Sequence, residues 1–64
     1  MDFEVFRKRG RHWQYLGTYW GEDSRKAAGK AGYIHNCKVL GVRPAGTPCK
    51  LYVYRFQYTP SLTG

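Results

Sequence analysis

The densest run of basic side chains, Arg7-Lys8-Arg9-Gly10-Arg11, stands just ahead of Trp13 and Tyr15. Guanidinium and ammonium groups neutralise phosphates, and aromatic rings stack on unpaired bases, so this combination suits nucleic-acid binding. Tyr52, Tyr54, Arg55 and Phe56 repeat it toward the other end of the chain. Each stacked base is worth about 1–3 kcal/mol. The candidate nucleic-acid-binding residues are therefore Arg7, Lys8, Arg9, Arg11, Trp13, Tyr15, Tyr52, Tyr54 and Arg55. A plainer reading competes with this one. The arginines at a turn form a solvated tip, and the large rings fill the space opposite a small helix.

Overall charge favours an anionic partner. Among 64 residues, eleven Lys and Arg face four Asp and Glu, a net charge of +7. Lys26, Lys30 and Lys38 carry the basic character along the chain, and no acidic residue follows Asp23. Nucleic acid, an anionic membrane surface or an acidic protein face would each be attracted by this charge, in a salt-screened way. Met1-Asp2-Phe3-Glu4-Val5 has neither the basic start nor the apolar stretch of a secretory signal, and no apolar run spans a bilayer. A soluble, cytoplasmic protein that does not engage a membrane is expected.

Other chemistries find less support. His12, His35, Cys37 and Cys49 supply zinc-ligand types, but they lack a Cys-x-x-Cys pair and come from separate segments. No metal or other cofactor is expected, and the two cysteines are read as thiols, with a Cys37–Cys49 disulfide as the alternative. Ser24 and Ser61 have no adjacent base to activate them, and Gly29-Lys30-Ala31-Gly32 lacks the spacing of a phosphate-binding loop. Glu22 and Asp23 are explained by a helix start. No catalytic constellation emerges, and a chain this short has little interior in which to bury one.

The elements that must position these residues follow from period and punctuation. The 42% hydrophobic content, spread through the chain, supports a folded domain. Phe3–Lys8 is rich in aromatic and β-branched residues and runs into a glycine turn, so it is read as a strand. His12–Trp20 alternates Trp13, Tyr15 and Tyr19 against Leu16, Thr18 and Trp20, giving the second strand of a hairpin. After Gly21 the period becomes helical, with acceptors at Glu22, Asp23 and Ser24 and apolar residues at Ala27, Ala28, Ala31 and Ile34. Cys37–Val42 is a third strand, followed by a loop, Arg43 to Pro48, whose prolines and glycine break regular structure. Lys50–Tyr58 is the fourth, alternating Leu51 and Val53 against Tyr52, Tyr54, Phe56 and Tyr58.

These elements predict a single α+β domain over residues 1–58, ordered β-β-α-β-β, with one helix on one face of an antiparallel sheet. A frayed polar tail is expected over 59–64. One helix covers one face, so the site depends on which side chains remain uncovered. If Val5, Leu16, Leu51 and Val53 meet the helix, the free face displays Trp13, Tyr15, Tyr52, Tyr54 and Phe56 beside arginines.

Leu16-Gly17-Thr18-Tyr19, followed by Ala27-Ala28 and Ala31, resembles the last strand and the helix of AP2-type DNA-binding domains. That resemblance spans about residues 13–33. It implies a sheet that enters the DNA major groove, with Arg7, Arg9, Arg11 and Trp13 as the nearest counterparts of base-reading side chains. Phe3-Glu4-Val5-Phe6 and Gly17-Thr18 are also similar to an accessory subunit of phenylacetyl-CoA oxygenases. The function expected is a non-enzymatic module binding DNA or RNA. The alternative is a protein-interaction factor whose aromatic face docks on a larger acidic partner, and the chain is expected to be a monomer or a homodimer burying that face.

Overall fold

The computed structural model describes residues 1–57, so Tyr58 and the tail expected over 59–64 lie outside the described residues. Asp2–Arg9 (β1) and His12–Trp20 (β2) pair antiparallel across a tight turn in which Gly10 takes φ 63°. Ser24–His35 is the helix α1. Val39–Pro44 (β3) and Tyr52–Arg55 (β4) follow it. All neighbouring pairs are antiparallel, and the strand order is β2-β1-β3-β4. The fold is the expected α+β domain with one helix on one sheet face. Several boundaries differ from expectation: β1 gains a residue at each end of Phe3–Lys8, β3 starts at Val39 and runs through Arg43 to Pro44, and β4 covers only Tyr52–Arg55 of the expected Lys50–Tyr58. Pro44 is tolerated because it is the strand's last residue.

Helix α1 begins where its side chains satisfy free backbone donors. Asp23, in extended conformation, accepts a 2.8 Å hydrogen bond from the Lys26 amide. The helix ends at Asn36, whose left-handed backbone (φ 55°) lets its own N–H and that of Cys37 both reach the Gly32 carbonyl. Ala27, Ala28, Ala31 and Gly32 form its buried face. Side chains this small bring the helix close to the sheet, and larger sheet residues fill the layer between. Those residues are Phe3, Val5, Leu40 and Val42, flanked by Leu16, Tyr19, Tyr54 and Phe56.

Two expected alternations are overturned. In β2, Val5 faces Gly17 while Phe6 faces Tyr15, which leaves Leu16 as an extra residue in a bulge. The bulge reverses the facing of the strand at that point. Trp13 and Tyr15 therefore share the uncovered face with Thr18 and Trp20, and Tyr19 joins Leu16 on the helix side. In β4, Tyr54 lies opposite the fully buried Leu40 and Tyr52 opposite the fully buried Val42. The Tyr54 ring thus packs in the helix layer, where its hydroxyl and that of Ser24 share a hydrogen bond; Tyr52 lies on the same side of the sheet but is 60% exposed, while Leu51 and Val53 lie on the other face. Volume decides the matter. An alanine-faced helix leaves space that rings fill and that Leu and Val would leave partly empty.

Candidate nucleic-acid interface

Every element runs the length of the domain, so each turn falls at one of two ends. One end holds the β1–β2 turn, the C-terminus of α1, the start of β3 and the finish of β4. Arg7, Lys8, Arg9, Arg11, Lys38 and Arg55 all lie there, and among the described residues no carboxylate does. All four acids, Asp2, Glu4, Glu22 and Asp23, fall at the opposite end. There Glu4 accepts a 2.7 Å bond from Arg43 Nε, and Glu22 pairs with Lys26 at 3.2 Å. Arg25 and Lys50 also lie toward that end and bring it close to neutrality. The domain's excess positive charge is thus gathered at one end.

The uncovered sheet face adjoins the basic end. Register places Trp13 beside Lys8, with Val39 and Arg55 completing a row across the four strands. Lys8 Nζ stands 4.9 Å from the Trp13 ring centroid. The indole also reaches β3, because Gly41 has no side chain to oppose it. A Cβ there would meet Trp13 Cζ3 at 3.1 Å and Leu51 Cδ1 at 2.9 Å. In the next row the Phe6 and Tyr15 rings meet at 5.3 Å, tilted by 56°, and the Tyr15 hydroxyl bonds Thr18 Oγ1 at 3.0 Å. Arg43 lies over Phe6, 5.1 Å from its centroid, while its Nε holds Glu4. Cations over rings at such exposed positions contribute about 0.5–1 kcal/mol each. They also turn an aromatic surface into one that presents charge.

On the helix side of the same end, Arg7 is half-buried. Its Nε donates to Gln14 Oε1 at 2.8 Å and its Nη1 to Cys37 Sγ at 3.9 Å. The Cys37 thiol in turn donates to the His35 carbonyl at 3.4 Å, and His35 Nε2 shares a 2.6 Å bond with the Tyr19 hydroxyl. An open hollow of about 580 Å³ lies between the end of β1 and the turn after α1. Both cysteines are free: Cys37 lines this hollow, and Cys49 is exposed at the opposite end of the sheet. That separation divides the potential zinc-ligand set and rules out the disulfide.

Of the candidate residues, the fold brings together Arg7, Lys8, Arg9, Arg11, Trp13 and Arg55 at the basic end, with Tyr15 one row further along the free face. Tyr52 and Tyr54 are not part of this surface: both lie on the helix side of the sheet, Tyr54 packed against the core and Tyr52 exposed. Sequence reasoning missed Phe6 and Arg43 on the free face. Phe6 alternates with the buried Val5, a signal that was available; Arg43 was hidden because its segment reads as a proline-bounded loop. Fold and surface together define a small ββαββ domain, polarised in charge, with one sheet face uncovered. No family model, curated protein or solved structure matches the chain. Among the described residues, no helix is long and apolar enough to cross a membrane.

Proposed function

We propose that this domain is a non-enzymatic nucleic-acid-binding module that takes phosphates at its basic end. The observation that carries this reading is the segregation of charge. Among the described residues, six cations share one end without a carboxylate, which focuses positive potential there. Lys8 and Arg55 open onto the free sheet face, so a strand or groove lying across the strand ends would also meet Trp13 and Tyr15. Tyr15 is 53% exposed and is the ring on that face best placed to meet a base or sugar. Trp13, held between Lys8 and Gly41, acts chiefly as the support that aims Lys8.

The test is a titration of the Trp13 and Trp20 fluorescence with short single- and double-stranded DNA and RNA, at low and near-physiological salt. Binding that weakens steeply with salt supports the reading, because counterions are released as phosphates are neutralised. No binding to any oligonucleotide at low salt overturns it. One observation favours a second reading, a protein-docking face: Tyr15, Trp20 and Val53, all on the uncovered face, are each at least half exposed. A desolvated apolar interface of that kind binds with little salt dependence.

A further inference from the structure

The proposed function leaves open how a phosphate is held once charge has drawn it in. We propose that the hollow between the end of β1 and the turn after α1 is a phosphate-group site. Arg7 is the fork that grips the phosphate oxygens, and Gln14 is the positioning residue that aims it. This rests on the reading of the domain as a binder of phosphate-bearing polymers and adds where and how one phosphate is fixed.

Three observations converge on this hollow. Arg7, Lys8, Arg9 and Lys38 line it together with Asn36, Cys37 and Val39, and among the described residues no carboxylate does. Of the two arginines with defined side-chain hydrogen bonds, Arg43 is paired with Glu4, whereas Arg7 is held by the neutral Gln14 amide and Cys37 thiol. Its charge is therefore uncompensated while its plane is fixed. A guanidinium ordered in advance loses less entropy on meeting an oxyanion, and its planar N–H groups match two phosphate oxygens at once.

Third, the carbonyl end of α1, which would repel an anion, is partly masked here. The Gly32 carbonyl is already taken by the N–H groups of Asn36 and Cys37. The hollow, about 580 Å³, is large enough to take a phosphate with a sugar still attached.

The two free thiols make a built-in footprint. Cys37 lines the hollow and Cys49 is exposed at the far end, so alkylation of each by iodoacetamide, followed by mass spectrometry of the intact chain and its peptides, reports occupancy at one place with an internal control. The ligands are inorganic phosphate, an oligonucleotide with a 5′-phosphate and the same oligonucleotide without it; binding is followed in parallel by tryptophan fluorescence.

Slower alkylation of Cys37 with Cys49 unchanged is the expected result. Protection by inorganic phosphate identifies a self-sufficient phosphate site. Protection by the 5′-phosphorylated oligonucleotide alone identifies a chain terminus, and equal protection by both oligonucleotides an internal phosphodiester. Oligonucleotide binding that leaves Cys37 reacting at its free rate overturns the site but not the proposed function. Absence of binding by every ligand overturns both.

Gln14→Ala leaves the charge unchanged and is expected to weaken binding and protection severalfold by freeing the Arg7 side chain. Arg7→Lys keeps the charge but loses the fork, and is expected to lose about tenfold in affinity, the size of one charge-assisted hydrogen bond. Wild-type affinity and protection in both variants would show that only charge matters there.

Discussion

Salt dependence turns the polarity of this domain into a number. For a duplex, the logarithm of the binding constant falls against the logarithm of salt concentration with a slope of about −0.9 for each phosphate neutralised. If all six cations at the basic end engage, the slope is about −5, and affinity drops about 10³-fold between 50 and 200 mM salt. Arg9 and Lys38 are both exposed and have no carboxylate partner, so replacing them with alanine removes charge without disturbing the core. The double variant R9A/K38A should show a slope near −3.6 and an affinity drop of about 10² over the same range. The matched control is R25A/K50A, which removes the same charge from exposed positions toward the other end. Its slope should stay at the parental value, with only a small general weakening from the lower net charge. Fluorescence anisotropy of an end-labelled duplex at five salt concentrations measures all three slopes. Equal changes in the two double variants would mean that net charge acts without any defined face. An unchanged slope in R9A/K38A would remove the basic end from the interface.

Three further substitutions test the scaffold. Leu40→Ala empties a fully buried site between β1, β4 and the helix and should cost about 2–5 kcal/mol; in a domain of this size the loss brings unfolding close to ambient temperature, measurable by thermal circular dichroism. Gly21→Ala places a Cβ 2.8 Å from the Ala27 backbone nitrogen and 3.0 Å from the Asp23 carbonyl oxygen. Backbone cannot rotate away, so a loss of about 1–3 kcal/mol is expected in urea denaturation. Gly41→Ala places a Cβ nearest to side-chain atoms, Leu51 Cδ1 at 2.9 Å and Trp13 Cζ3 at 3.1 Å, which can shift, and Leu51 Cβ at 3.2 Å, which moves only with its backbone. It should alter the tryptophan emission at a stability cost below that of Gly21→Ala, and unchanged emission would show that Trp13 does not lie over β3.

The elements were legible because each carries a local signal: alternation in the strands, a capping aspartate, and a stripe of alanines at helical spacing. What alternation alone does not reveal is which of the two sets faces inward. In β4 both sets are apolar, Leu51 and Val53 on one side and Tyr52, Tyr54 and Phe56 on the other. Hydrophobicity therefore cannot choose between them, whereas volume opposite Ala27, Ala28 and Ala31 can. The reversal in β2 did leave a trace, a glycine within a strand. Gly17 takes φ 144°, a region that side chains disfavour, and it adjoins the bulged Leu16. Taking that glycine as a bulge would have placed Thr18 and Trp20 beside Trp13 and Tyr15.

Charge polarity is the property furthest from any local signal, yet topology explains it simply. In an up-and-down arrangement every element reverses the direction of the one before, so alternate turns share an end. The turns at residues 9–12 and 36–38 are separated by a strand and a helix in sequence but lie at one end of the domain, the first carrying Arg9 and Arg11 and the second Lys38. The chain start and the turn at residues 21–23 meet at the other end, and they contain the acids. Asp23 is confined there by its role as the helix cap, since a carboxylate is favourable at the positive end of α1 and unfavourable at its other end. The same dipole favours cations beside the C-terminal end of α1, where Lys38 lies, but Arg9, Arg11 and Arg55 stand in or beside strands and turns and cap no helix. The six cations held together there without a carboxylate among the described residues raise the free energy of the folded state through their mutual repulsion, which salt screens and which, on the proposed function, a bound polyanion relieves.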